Sequence, residues 1–297
     1  MKAQHIRTLV AIADSGSLRT AATMLGRTQP AVTKALRQAE EDIGVPLFHR
    51  SSRGVIPTEM GERVLLRARS IVSEIDRLDD DIAQYHGEQT GSVRVCVSPL
   101  AAVRIMPRAL VLFRQTHPLI DVHLTSGLFP SALKPLREGQ TDLLIGPKPT
   151  KGMTRDIYFE PLLETPITLI TATGSPFAQV TSLADLIDAD WITIGAPTGP
   201  GDIYRKPFLD HGLTPPSVRT TSESYFGALA LVENLGAVCT FPQRLLDTVS
   251  ADWGITAIPI KEDIAPLEIG LMTRASHPLT PAADTLAQCI RRRSGAI

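Results

Sequence analysis

Three patterns of apolar and polar positions follow one another along the chain. Over residues 4–58 the period is helical. Ile6, Leu9, Val10 and Ala13 mark the buried side of a helix over 4–14, and a second short helix spans 18–25. Val32, Leu36, Ala39 and Ile43 form the apolar stripe of a third helix, from Thr28 to about Ile43. Gly26 closes the second helix, Thr28 caps the third, Pro30 occupies its first turn and Gly44 ends it. A short hairpin follows, with Leu47 and Phe48 as anchors, a Ser51-Ser52-Arg53-Gly54 turn, and Val55-Ile56 returning. The second pattern is a heptad. Thr58 caps a helix with Glu59 and Glu62 in its first turn, and Val64, Ala68, Ile71, Ile75, Leu78, Ile82 and Tyr85 recur at spacings of 4, 3, 4, 3, 4, 3. A stripe that narrow suits a seam between two helices, on a rod of roughly 40 Å at 1.5 Å per residue. Residues 87–91 form a hinge.

From residue 92 short β-rich runs alternate with helical ones. Strands are predicted at 92–98, 121–125, 142–146, 167–172, 191–194, 218–221, 237–241 and 267–273. Helices are predicted at 103–115, 131–138, 183–187, from 201, 225–234 and 281–293. The alternation implies βαβ units and a mostly parallel sheet. A second α/β set precedes the chain's return, which implies two lobes with crossings near 161–167 and 262–270.

Chemistry sharpens the first pattern. Gln29, Thr33, Lys34 and Arg37 point away from the apolar stripe of the third helix. Two helices joined by a tight turn, the second carrying amide, hydroxyl and cationic groups, read as a helix-turn-helix. Its second helix is slim enough for the DNA major groove. A plain helical hairpin with a solvated face would share that polarity. Against it stand the alanines at 21, 22, 31, 35 and 39, which allow close crossing, and the order of residues 21–33, AAxxLxxTQPAVT.

That order resembles the LysR-type transcriptional regulators, whose pattern here is A-A-x-x-L-x-x-S-Q-P-A-[VL]-S. Ala21, Ala22, Leu25, Gln29, Pro30, Ala31 and Val32 match it, with Thr28 and Thr33 standing where the pattern has Ser. The fold class expected is α/β: an N-terminal winged helix-turn-helix plus a long linker helix, then a two-lobed, periplasmic-binding-protein-like effector domain. The expected boundaries are 1–58 for the DNA-binding domain, 59–90 for the linker and dimerisation helix, and 91–297 for the effector-binding domain. Its lobe 1 covers about 91–161 and 268–297, and lobe 2 about 162–267. The DNA-binding candidates are Thr28, Gln29, Pro30, Thr33, Lys34 and Arg37, with Arg50 and Arg53 at the wing tip. Either arginine alone could equally be a solvated loop residue. Their place beside a reading helix favours phosphate or minor-groove contact.

Charge and composition fit this picture. The net charge of −1 hides a basic head: residues 1–57 hold eight Lys/Arg against four acids, +4 in all, leaving −5 elsewhere. No apolar run approaches membrane-spanning length, and the first residues read as a capped polar helix, so a cytoplasmic protein is expected. Cys96, Cys239 and Cys289 are odd in number and far apart, which suggests reduced thiols. The seven histidines lack the helical pairing of metal sites, and no C-x-x-C, G-x-S-x-G or G-x-G-x-x-G motif occurs. Neither a metal, a cofactor nor an enzymatic activity is expected. A free-standing solute-binding protein is the other class to weigh, but it would carry an export signal in place of a DNA-binding head.

Ligands of open parallel sheets collect at the carboxyl ends of strands, beside helix starts. Segments 98–100, 126–131, 196–201 and 240–242 occupy such ends. Ser98, Pro99, Leu128, Phe129, Ser131, Pro197, Gly199 and Phe241 are therefore the candidate effector contacts. Each has a bland alternative, since Ser and Thr at strand ends cap helices and Phe129 or Phe241 could be core. Neutral donors with apolar walls suit a small organic anion such as an aromatic carboxylate or sulfonate. The expected partners are a double-stranded DNA operator, that effector, a second copy through the linker helix with dimers pairing into tetramers, and RNA polymerase, with no membrane.

Overall fold

Three helices and a hairpin build the amino-terminal head: α1 (Ala3–Ser15), α2 (Leu18–Met24), α3 (Gln29–Ile43), β1 (Phe48–Ser51) and β2 (Gly54–Pro57), followed by the long α4 (Glu59–Tyr85). The computed structural model describes residues 1–51, 54–149, 153–196, 199–249 and 253–295. It divides into two units, Met1–Glu88 with Glu138–Gln140, and Gln89–Arg137 with Thr141–Ile297.

The head closes on Leu9, Ile12, Ala21, Val32 and Ala39, all fully buried, with Leu47 and Leu65 capping the core from outside the three helices. The turn between α2 and α3 is a Schellman motif. Gly26 takes φ +60°, its N–H donates to the Thr23 carbonyl (3.1 Å), and the Arg27 N–H donates to the Ala22 carbonyl (2.8 Å). Glycine is required there because a Cβ at that φ is strained. Thr28 then opens α3, its hydroxyl accepting from the Ala31 N–H at 3.4 Å.

The heptad on α4 divides between two environments. Ala68 is buried and Val64 packs on the head core. Further along, Ile71, Leu78, Ile82 and Tyr85 are 42%, 57%, 51% and 86% exposed. One end of the stripe thus serves the head, and the other lies open on this chain.

The second unit carries two five-stranded sheets. Its strands are β3 (Ser92–Val97), β4 (Asp121–Ser126), β5 (Leu143–Pro147), β6 (Ile157–Thr165), β7 (Ile167–Ala172), β8 (Trp191–Ile194), β9 (Val218–Ser222), β10 (Val238–Pro242), β11 (Ile255–Ala257) and β12 (Leu267–Arg274). The orders are β4-β3-β5-β12-β6 in one lobe and β11-β7-β10-β8-β9 in the other. Helices α5 (Met106–Arg114), α6 (Leu133–Arg137) and α10 (Pro281–Ser294) belong to the first lobe; α7 (Arg205–Asp210), α8 (Tyr225–Leu235) and α9 (Gln243–Val249) belong to the second.

The expectation of mostly parallel sheets needs correction. Pairs β3/β4, β3/β5, β8/β9 and β8/β10 are parallel, whereas β5/β12, β6/β12, β7/β10 and β7/β11 are antiparallel. The chain leaves one lobe as β6, enters the other as β7 after Pro166, and returns as β12. None of these crossing strands follows a crossover helix within its own sheet, so nothing turns them parallel to their neighbours. Strand β6 went unpredicted because Pro161 interrupts it; the sheet seats Pro161 opposite Gly270, beside the register shift at Ile269/Gly270. Strand β11 and helix α9 were also missed.

Two predicted helices are 3₁₀ turns in whole or in part, and the one predicted at 131–138 shortens to α6. Residues 183–186 make a single 3₁₀ turn, and the helix expected from 201 becomes a 3₁₀ turn at Pro200–Asp202 followed by α7. Ahead of α5, residues 101–105 form a wide turn in which the Met106 N–H reaches the Ala101 carbonyl. Pro107 follows at once; it lacks an N–H and crowds a normal helical turn.

Candidate functional sites

On α3, Gln29, Pro30, Thr33, Lys34 and Arg37 line one concave surface. Gln29, Pro30, Lys34 and Arg37 are exposed and Thr33 is half-buried. The Thr33 hydroxyl donates to the Gln29 carbonyl at 2.9 Å, so it is engaged by its own helix. The opposite side of α3, with Val32, Leu36 and Ala39, is sunk in the head core. Glu40 ties α3 to the hairpin: its carboxylate accepts from the Leu47 N–H at 2.8 Å and the Phe48 N–H at 3.3 Å. Arg53 and the side chain of Arg50 lie outside the described residues.

In the second unit, a cleft of about 650 Å³ opens between the two sheets. Its walls come from the carboxyl ends of four strands. Pro99 follows β3, Ser126 to Ser131 end β4, Gly195 and Ala196 follow β8, and Glu223 and Ser224 follow β9. The parallel halves of both sheets therefore aim their carboxyl ends at one space, where helix starts collect. Ser224 caps α8, its hydroxyl accepting from the Gly227 N–H at 3.1 Å. The Ser131 hydroxyl donates to the Leu128 carbonyl at 2.9 Å. Lys134 adds a cationic side chain to the rim and Glu223 an acidic one. Under the floor, Cys96 packs so tightly that a Cβ on Gly127 would lie 2.8 Å from its sulfur. Burial pushes the Cys96 thiol above its ordinary pKa.

Pro99, Leu128, Phe129 and Ser131 come together in this cleft. The other candidates sit elsewhere. Ser98 is 2% exposed, and its hydroxyl accepts from the Ala101 N–H at 3.4 Å. Gly199 presses on the first lobe, where a Cβ would meet the Phe129 carbonyl at 2.2 Å, and it lines a separate 250 Å³ hollow with Ile203 and Pro266. Phe241 belongs to the core: it is 1% exposed, with its ring 5.5 Å from that of Tyr225. Pro197 lies outside the described residues. Sequence reasoning missed Lys134, Glu223 and Ser224. Ser224 could have been found, because a capping serine directly before the apolar run of α8 is the same signal that identified the other strand ends. Among the described residues no group of three or more His, Cys, Asp or Glu is placed to hold a metal ion, and no helix is long and apolar enough to cross a membrane.

Comparison with known proteins agrees over nearly the whole chain. Residues 3–62 match the family described as "Bacterial regulatory helix-turn-helix protein, lysR family", and residues 86–295 match "LysR substrate binding domain". The chain is 28% identical over 294 residues to the HTH-type transcriptional regulator GalR of Pseudomonas putida, covering 98% of this chain and 74% of that protein. It is 25% identical to TdcA of Escherichia coli, covering 99% and 93%. Among solved structures, the LysR family regulator CbnR superposes with a TM-score of 0.73 at 21% identity over 99% of both chains. CbnR bound to its target DNA gives 0.71 at 22% identity, over 99% of this chain and all of that one. With a helix-turn-helix at one end and a substrate-binding domain at the other, this chain belongs to the LysR family of transcriptional regulators.

Proposed function

We propose that the protein binds a specific operator through α3 and the wing, and changes its hold on that operator when a small organic anion occupies the inter-lobe cleft. The observation that carries this reading is the cleft itself: four parallel strand ends, with Pro99, Leu128, Phe129 and Pro130 as apolar wall and Ser131 and Ser224 as hydroxyls. The start of α8 and the rim Lys134, opposed by Glu223, support an anion, and Phe129 supports an aromatic or apolar body. DNA binding draws support from the polar face of α3 and from CbnR, a relative in fold whose structure was solved with its target DNA.

The domains divide near residues 58 and 90, and near 161 and 267 within the effector part. Two copies pair along the exposed half of the α4 heptad, and dimers pair into tetramers. Such a dimer presents two reading heads to half-sites spaced by whole helical turns. RNA polymerase is the partner through which a bound regulator acts, and the cytoplasm is where it works.

Calorimetric titration of the purified protein with a panel of aromatic and aliphatic carboxylates and sulfonates tests the effector. At least one acid should bind saturably, and Phe129→Ala should weaken it. No saturable signal from any of them removes the anion reading. Selection of duplexes from a random pool by the same protein tests the operator; recovery of no enriched sequence removes the DNA reading.

A further inference from the structure

A second concavity runs along the head, on the other flank of α3. It measures about 520 Å³ and is bordered by Lys2 and Arg27 on one side and Lys34 and Gln38 on the other. Ala31 and Ala35 also line it, with small side chains. Asp42 also lines it, but that carboxylate is already engaged by the N-terminal ammonium at 3.0 Å. The trough is therefore cationic, and Lys34 stands on the ridge it shares with the reading face.

Arg27 is positioned rather than loose. Its backbone is fixed by the bond from its N–H to the Ala22 carbonyl (2.8 Å). The residue at this place in a Schellman motif is commonly apolar and packs back on the helix. Here it is an exposed arginine. With the Gln4 amide turned so that its oxygen faces the guanidinium, that oxygen accepts from Arg27, with Nη2 at 3.2 Å. At about 100° per residue, Glu40, which holds the wing, lies roughly 200° round α3 from Gln38 in the trough. Wing and trough thus flank the reading face on opposite sides.

A helix in a major groove has a phosphate strand on either side. Resting on the DNA-binding reading above, we infer that Lys2 and Arg27 are phosphate-contacting residues that hold one operator strand along this trough, opposite the strand met by the wing. They set register and affinity and leave base choice to the reading face.

The experiment uses the full-length protein and a duplex it has itself selected, with a scrambled duplex of equal length as control. Affinity is measured by fluorescence anisotropy across a salt series. Arg27→Ala and Lys2→Ala should each flatten the plot of log affinity against log salt by about 0.9 per engaged head. Between 50 and 200 mM salt that spares roughly 3.5-fold of the affinity loss per head. Both duplexes should weaken alike, so their affinity ratio stays at its wild-type value. Gln4→Ala breaks the tie but keeps the charge, and should keep the wild-type slope. Lys2 is exposed, so Lys2→Ala tests the inference even if Arg27→Ala lowers the melting temperature. Wild-type slopes for both Arg27→Ala and Lys2→Ala overturn it. If the unaltered protein selects no duplex, the DNA reading fails first and takes this inference with it.

Discussion

Leu78→Asp should dissociate the protein into single chains. On α4, Leu78 occupies the same heptad position as Val64, Ile71 and Tyr85, and it is 57% exposed. Complete burial of a leucine side chain contributes about 1.5–3 kcal/mol. The 57% still open to solvent is therefore worth roughly 0.9–1.7 kcal/mol to each chain when a partner covers it. A two-fold seam counts it twice, giving about 1.7–3.4 kcal/mol, or roughly 20- to 300-fold in dissociation constant. The charge adds to this, because Asp79, Asp80 and Asp81 already follow. A fourth carboxylate facing its symmetry mate would be repelled. Sedimentation velocity over a wide concentration range reads the dissociation constant, and circular dichroism checks that α4 remains helical. Leu209→Asp, at an equally exposed leucine on α7 (58%), is the control and should leave association unchanged. A dissociation constant for Leu78→Asp within twofold of wild type would refute the seam.

Three further outcomes are expected. Lys34→Ala, on the exposed ridge of α3, should cost about 1–3 kcal/mol of discrimination between the selected and scrambled duplexes; equal losses on both would contradict base contact. Gly61→Ala should destabilise the head by about 1–3 kcal/mol or more, because the new Cβ would lie 2.0 Å from the Leu47 carbonyl oxygen, and that oxygen accepts the Thr58 N–H at 2.8 Å. An unchanged melting transition would refute that packing. The Cys239 thiol is pushed by burial from 9.0 to about 12. The native state then keeps a proton that the unfolded chain loses first, so this contribution is intact below pH 9 and falls as pH rises from 9 to 12, by about 1.4 kcal/mol per pH unit. Denaturant midpoints of wild type and Cys239→Ala, compared across that range, should converge as pH rises; a constant difference would count against the burial.

The head was legible almost residue by residue, because each of its boundaries is a local event. Gly26 needs a positive φ, Thr28 and Thr58 supply hydroxyls to helix amides, and the apolar stripes need only their own helix to be recognised. The effector part was legible where strand and helix alternate, and not where pairing is distant. Nothing local shows that Ile157–Thr165 lies beside Leu267–Arg274, or that Pro161 is tolerated because Gly270 faces it. For the cleft, the structure brings Pro99 and the 128–131 loop together, since both follow parallel strands of one sheet. Phe241 follows the same rule and is nonetheless buried. Its ring turns inward on Tyr225, and the side of a strand end that faces the cleft is set by tertiary packing.

The loop that lines the cleft is also one place where the two lobes touch. A Cβ on Gly195 would lie 3.4 Å from Leu128 Cδ1, and one on Gly199 would lie 2.2 Å from the Phe129 carbonyl oxygen. Leu128 and Phe129 belong to one lobe, the glycines to the other, and glycine is what lets them approach so closely. On the proposed reading, a ligand against Leu128 and Phe129 would act on this lobe contact directly. It shifts the balance of lobe arrangements only as far as its contacts differ between them. Moving that balance from 1:99 to 99:1 takes about 5.5 kcal/mol of difference. At about 0.5–1.5 kcal/mol for a typical hydrogen bond, neutral hydroxyls alone would need several bonds made in one arrangement and absent in the other. A charged ligand group, whose hydrogen bonds are worth roughly twice as much, reaches the figure with fewer. The larger the shift a ligand has to produce, the more a charged group gains over a neutral one.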